Sequence, residues 1–269
     1  MTSQLGLHSP LVKRARRLRS RSGRQVESAC LVEGLRVVLT ALERGAPVEA
    51  LIVCPERLTS APALAAVERA QSAGVAVYEV APATLESLSE RDNPSGLLAI
   101  VGATAPSLSA LTPAAGDLYV ALDEVADPGN LGTVLRTADA LGVAGVLLAG
   151  SGTDPFHPTA IKASMGALWT VPWAQVPDLL AAIAWAQDED LATVATTAHD
   201  AEALWSAELP ARMLLLMGSE RHGLPQAVLL DAAHRVGIPM RGSVSSLNLA
   251  VATALVVYEV RRRSWVHGP

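Results

Sequence analysis

Few side chains in this chain stand where they could do chemistry, and they fall in three segments. Asp123–Gly132 reads DEVADPGNLG and is followed by Arg136; it carries an amide, Asn130, and a guanidinium. Met217–Pro225 reads MGSERHGLP, with Glu220 as its only acid. Val236–Val257 reads VGIPMRGSVSSLNLAVATALVV and places Ser246 and Asn248 where a small-residue loop enters an apolar run. Hydroxyls, free N–H groups and the Asn248 amide at a helix N-terminus suit the docking of a polar ligand. The same serines could instead simply satisfy the backbone, and Ser219 and Glu220 could cap the helix that starts near Pro225.

The elements that must hold these segments follow from hydrophobic pattern. Leu118–Leu122, Gly145–Leu148, Leu191–Thr196, Met213–Met217 and His234–Ile238 read as buried strands of a parallel sheet, and Pro239 ends the last of them. Helices are expected after Gly132 through Leu141 with Arg136 on the second turn, around Asp178–Gln187, and from an N-cap at Ser246 onward. All three polar segments then lie after carboxyl ends of strands, where open α/β sheets bind ligands. Gly218 and Gly223 permit close backbone approach or positive φ around Glu220.

The first hundred residues alternate in the same way. A basic helix, Leu11–Leu18, precedes a turn-prone Ser20–Gly23; strands are expected at Ala29–Val32, Ala50–Val53, Val75–Val80 and Leu97–Val101, with helices at Leu35–Leu42, Ala63–Ala73 and Ala83–Ser89. Ala103–Gly116 has linker composition, which divides the chain into an N-terminal α/β domain over 1–105, a linker over 106–116 and a larger domain over 117–269.

Composition excludes several classes. Half of the 269 residues are hydrophobic, yet the longest uncharged apolar run, Leu249–Tyr258, is short of the roughly 20 residues of a membrane span. Cys30 and Cys54 have neither CxxC spacing nor a His/Cys cluster, so no metal site is indicated; both read as buried small hydrophobes in a reducing compartment. Gly150-Ser151-Gly152 opens a dinucleotide fingerprint, but Pro155 stands where its third Gly belongs. Net charge is −5, with the sign unevenly spread: Lys13, Arg14, Arg16, Arg17, Arg19, Arg21 and Arg24 all precede the first acid, Glu27, and Arg261–Arg263 form a second cluster. Such clusters can contact phosphate on an acidic protein; a solvated helix face and an organellar presequence are the other readings. Five Trp, three Tyr and one Phe are too few for an extended base-stacking platform.

Together, Asn130-Leu131-Gly132 with Arg136-Thr137, Gly218-Ser219-Glu220 with Gly223, and Ile238-Pro239-Met240 with Ser246-Leu247-Asn248 resemble the three motifs of the SpoU (TrmH-like) RNA 2′-O-ribose methyltransferases of the SPOUT superfamily. Asp154–Ala167 resembles a further family segment, and Leu31–Val38 and Asn93–Val101 resemble the N-terminal RNA substrate-binding domain, like ribosomal protein L30e, that many members carry. The resemblance implies an α/β class in which the C-terminal domain is an α/β knot, a trefoil-knotted parallel sheet, beside a smaller N-terminal RNA-binding domain. It implies an S-adenosylmethionine pocket lined by Thr196, Thr197, Met217, Gly218, Ile238, Met240, Ser246 and Leu247, and a catalytic set of Asn130, Arg136, Glu220, Ser246 and Asn248. Lys13, Arg14, Arg16, Arg17, Arg19 and Arg24 become candidate RNA contacts. A cytoplasmic homodimer acting on large-subunit ribosomal RNA is the expectation. A transfer-RNA enzyme and a non-catalytic RNA-binding or ribosome-assembly protein are the alternatives, and a nicotinamide enzyme ranks below them because of Pro155.

Overall fold

A computed structural model describes residues 4–114 and 117–266, so the last two positions of the expected linker, 115 and 116, lie outside the described residues. Contacts divide the chain into two compact units, residues 1–104 with 154–170, and residues 105–153 with 171–269. The division at 106–116 lacks the return of 154–170 to the first unit. The expected linker also carries Leu111, which is buried in the core of the second unit.

The first unit runs α1 (Pro10–Arg17), α2 (Arg21–Glu27), β1 (Ala29–Glu33), α3 (Leu35–Glu43), β2 (Val48–Val53), α4 (Ala61–Ser72), β3 (Ala76–Glu79), α5 (Pro82–Leu88) and β4 (Leu97–Gly102). Its sheet has the order β1-β4-β2-β3, with β4 antiparallel to both neighbours and β2 parallel to β3. Leu31 pairs Ile100 across β1 and β4, and both join a core that takes Val12 and Ala15 from α1, Leu18 just after it, and Leu85 and Leu88 from α5.

Ser20–Gly23 is not a turn but the start of α2. Ser20 is its N-cap, its hydroxyl accepting from the Gly23 N–H at 3.0 Å. A Cβ on Gly23 would lie 1.9 Å from the Arg17 carbonyl oxygen, so glycine here serves close helix-to-helix approach. Arg24 on α2 is 3% exposed. Its guanidinium donates to the Leu18 and Arg19 carbonyls at 3.0 Å each and pairs with Asp154 at 2.7 Å. The expectation of Arg24 as an RNA contact is thereby corrected: its donors are spent inside the unit, holding the returning segment against the end of α1.

The second unit begins with β5 (Leu118–Asp123), α6 (Pro128–Ala140) and β6 (Gly145–Ala149). After the excursion that carries α7 (Pro158–Ser164), it continues with β7 (Trp173–Val176), α8 (Leu179–Asp188), β8 (Ala192–Thr196), the two-residue β9 (Glu202–Ala203), β10 (Met213–Met217), α9 (Gln226–Asp231), β11 (His234–Gly237) and α10 (Leu249–Val266). All seven strands are parallel, in the order β7-β6-β5-β10-β8-β11-β9. β5 and β10 carry five consecutive buried residues each, as strands covered on both faces must. Tyr119, Ala121, Leu214 and Leu216 share a core with Leu179, Ala182, Ile183 and Ala186 of α8, and the Tyr119 and Trp185 rings meet edge-on with centroids 5.0 Å apart. Successive strands move outward from β5 to β7, then resume at β8 on the other side of β10, which makes the region around β5, β10 and β8 a switch point in strand order.

No described helix is long and apolar enough to cross a membrane. Both cysteines are free and buried.

Candidate active site

At the carboxyl ends of β8, β10 and β11 lies a cavity of about 390 Å³. Every residue assigned above to a cofactor pocket lines it: Thr196 and Thr197 after β8, Met217 and Gly218 at the end of β10, and Ile238, Met240, Ser246 and Leu247 after β11. The Thr196 hydroxyl donates to the Leu216 carbonyl at 2.9 Å, locking the end of β8 to β10. Gly218 and Gly223 each serve one of the two purposes glycine allows. A Cβ on Gly218 would sit 2.3 Å from the Gly223 carbonyl carbon, while Gly223 has φ +66°. Ser219 and Gly223 bridge the base of this loop, which presents Glu220 outward.

Side-chain hydrogen bonds then tie the three polar segments into one chain. Glu220 accepts from the Ala126 N–H at 3.1 Å and from Asn130 Nδ2 at 2.9 Å. Asn130 Oδ1 accepts from Asn248 Nδ2 at 2.9 Å, and Asn248 Oδ1 accepts from the N–H groups of Ala250 and Val251. Asn248, not Ser246, therefore caps α10, and the helix starts at Leu249. The amide divides the two tasks between two atoms: its oxygen accepts from the helix N-terminus while its nitrogen donates to Asn130. Asp127 caps α6 by accepting from the Asn130 N–H at 2.7 Å, which fixes the backbone of the residue at the centre of the chain.

Ser246 lines the cavity without joining this network. Arg136 stands apart from both. It lies on the third turn of α6 rather than the second, because the helix begins at Pro128; its side chain is exposed and makes no hydrogen bond or ion pair among the described residues. Beneath the loop, burial and then the neighbouring Glu124 push the Asp123 carboxyl above its ordinary range.

The cavity wall includes residues missed in the sequence. Leu249, Ala252 and Val256 follow a helical i, i+3, i+7 pattern that the 3.6 period of α10 could have revealed. His199 and Arg221 sit in loops, where no periodic signal exists. Among the described residues no group of three or more His, Cys, Asp or Glu is placed to hold a metal ion.

Comparison with known proteins bears on this arrangement. Residues 117–258 match the SpoU rRNA Methylase family, and residues 9–99 match the MRM3-like substrate binding domain. An uncharacterized tRNA/rRNA methyltransferase of Synechocystis is 32% identical over 257 residues, 96% of this chain and 92% of the relative. The 23S rRNA (uridine(2479)-2′-O)-methyltransferase of Streptomyces viridochromogenes is 31% identical over 91% of this chain and 87% of its own. The AdoMet-bound rRNA methyltransferase from Sinorhizobium meliloti superposes with a TM-score of 0.88 at 32% identity, covering 97% of this chain and 98% of the other.

Proposed function

The chain belongs to the SpoU rRNA Methylase family, and from that premise we propose how its own residues bind, align and recognise the reactants. It is an S-adenosylmethionine-dependent RNA 2′-O-ribose methyltransferase. The target we propose is large-subunit ribosomal RNA, supported by the Streptomyces relative, whose similarity extends through the N-terminal unit.

The residues present fit the cofactor. A volume of about 390 Å³ falls within the roughly 300–1000 Å³ of small-molecule sites. Ile238, Met240, Leu247 and Val256 offer an apolar wall suited to a purine ring, and Thr197, Ser246 and the Gly218 backbone offer polar partners. Bound there, the cofactor supplies an electrophilic methyl group. The protein must align a ribose 2′-hydroxyl and stabilise the negative charge that grows on its oxygen as its proton leaves. Arg136 is the exposed guanidinium for that task, on the helix whose first turn is held by Glu220. A guanidinium stays protonated, so Arg136 acts by holding the adjoining phosphate and the developing alkoxide, with the proton passing to phosphate or water. Glu220, Asn130 and Asn248 act as positioning residues: their bonds join segments 90 and 118 residues apart in the chain. That chain of hydrogen bonds across three loops is the observation that carries the proposal.

We further propose that the segment between β11 and α10 forms the family's trefoil knot, and that a second copy covers the outer face of α10. Val251, Leu255 and Tyr258 are about half exposed on that face although Val256 and Val257 are buried on the other. A helix apolar on both faces needs a partner on each. The first unit would engage RNA through Lys13 and Arg19, which are exposed on or just after α1, whereas Arg17, though exposed, is paired with Glu27. An enzyme of ribosomal RNA would act in the cytoplasm.

Incubation with tritiated S-adenosylmethionine and, separately, unmodified large-subunit rRNA, small-subunit rRNA and tRNA, followed by ribose-methyl mapping, tests this reading. A 2′-O-methyl group in the large-subunit RNA is the expected result. Label in tRNA alone would overturn the target, and absence of label with folded, cofactor-binding protein would overturn the roles assigned to Arg136 and its neighbours.

A further inference from the structure

A second concavity, of about 200 Å³, lies wholly within the first unit, between the end of α1, β1, the segment after α5, and α7. Its floor is apolar and closed: Leu18 and Leu88 are 1% exposed and Leu31 9%. Its rim is basic. Lys162, on α7, is exposed and makes no ion pair among the described residues. Arg19 and Arg91 line the same opening, and among the described residues their side chains are held only by long contacts, 3.7 Å to Glu90 and 3.9 Å to Glu33. Three cations thus face two carboxylates.

Glu33 distinguishes this pocket from a generic phosphate patch. Its carboxylate is fixed where β1 ends, accepting from the Ser89 hydroxyl and, at 3.1 Å, from the Glu90 N–H. Each oxygen keeps a lone pair for a further donor, and an ionised carboxylate can only accept. Arg91 lies close against the chain, so that a Cβ on Gly34, whose φ is +107°, would come within 2.7 Å of its Nη2. A guanidinium plane beside an apolar floor is a surface on which an unstacked base can lie in place of an aromatic ring.

Resting on the reading of the protein as an RNA methyltransferase, we propose that this pocket receives one unpaired guanosine nucleotide of the RNA, its base on Glu33 and its phosphate among Arg19, Arg91 and Lys162. The volume admits one base rather than a dinucleotide. Guanine presents two adjacent donors, N1–H and the 2-amino group, to a carboxylate. Uracil flanks its single N–H with carbonyls that the carboxylate repels, and adenine and cytosine pair their amino group with a ring acceptor. The cations add attraction that salt weakens.

Amide chemical shifts of the full-length protein, saturated with S-adenosylmethionine to fill the other cavity, would be followed during titration with guanosine 5′-monophosphate and uridine 5′-monophosphate. Shifts at residues 18–19, 31–34, 88–91 and 159–162 are expected, with guanosine monophosphate binding at least about fivefold more tightly. Glu33→Gln should remove that preference, and Lys162→Ala should weaken both nucleotides while keeping it. Equal affinity for the two nucleotides, or a preference untouched by Glu33→Gln, would overturn the proposal. In methyl transfer, Glu33→Gln should raise the KM for RNA about tenfold, and an unchanged KM would count against the site. Should the wild type transfer no methyl to any RNA, the enzymatic reading fails while the titration still decides the pocket.

Discussion

Arg24 and Arg136 are both arginines on helices, and the two units use them in opposite ways. In the first unit Arg24 is buried, bonded to two carbonyls and paired with Asp154. Its neighbours follow suit: Arg14 bridges Glu27 and Glu49, Arg17 pairs with Glu27, and Arg16 donates to the Leu7 carbonyl and the Ser87 hydroxyl. In the second unit Arg136 has no partner among the described residues, although the Asn130 and Glu220 side chains nearby in the motif order are fully engaged. A run of cations in sequence measures how many charges were placed, not how many remain open to a ligand. The second unit also spends arginines inside the fold, as Arg261 donates to the Leu141 and Gly142 carbonyls and Arg263 to those of Leu204 and Ala207.

Removing each arginine separates structure from catalysis. Arg24→Ala leaves the partly buried Asp154 carboxylate without its cation and the Leu18 and Arg19 carbonyls without their donor, and should cost about 3 kcal/mol of stability. Chemical denaturation measures it, and a loss under about 1 kcal/mol would show the pair to be dispensable. Arg136→Ala should leave stability unchanged and lower turnover by at least about 10²-fold with cofactor affinity retained. Wild-type turnover in that variant would remove Arg136 from the chemistry.

Apolar surface carries the same contrast between what is satisfied and what is left open. Leu255→Asp, in the middle of the half-exposed face of α10, should convert a dimer to monomers in analytical ultracentrifugation. A wild-type protein already sedimenting as a single chain would sink the dimer proposal. The smallest effect concerns Glu259, whose carboxyl is held down to about 2 by hydrogen bonds from Arg262 and then Arg263, against some opposing burial. A depressed carboxyl stabilises the fold above its ordinary value of 4.5 and loses that contribution as pH falls toward about 2. Glu259→Gln should therefore lower the melting temperature slightly at pH 6 and not at pH 2. A difference that persists unchanged at pH 2 would assign the effect to packing.

Much of the architecture was legible because buried strands and amphipathic helices leave strong periods. Met213–Met217 and the starts of β1, α3, β4, β5 and β6 fall where the pattern places them. The misplacements share a cause. Ser20–Gly23 carries turn residues, but a serine that caps a helix and a glycine that lets two helices touch look the same in sequence as a turn. Ser246 and Asn248 are both good caps, and the choice fell to Asn248 because Asn130 was waiting across the fold for its amide nitrogen. The two-residue β9 and the four-residue β7 are too short to establish a period.

By itself, then, the sequence determined the alternation of strands and helices, the two α/β units, and the three polar segments whose order and spacing carry the family resemblance. These are local properties, written in period, composition and glycine placement. Tertiary structure alone decided which charges are spent and which are free, that residues 154–170 fold with the first unit, and that Glu220, Asn130 and Asn248 form one chain. The last two depend on partners 90 or more residues away, and no local pattern encodes the distance between side chains that meet only after the sheet has assembled.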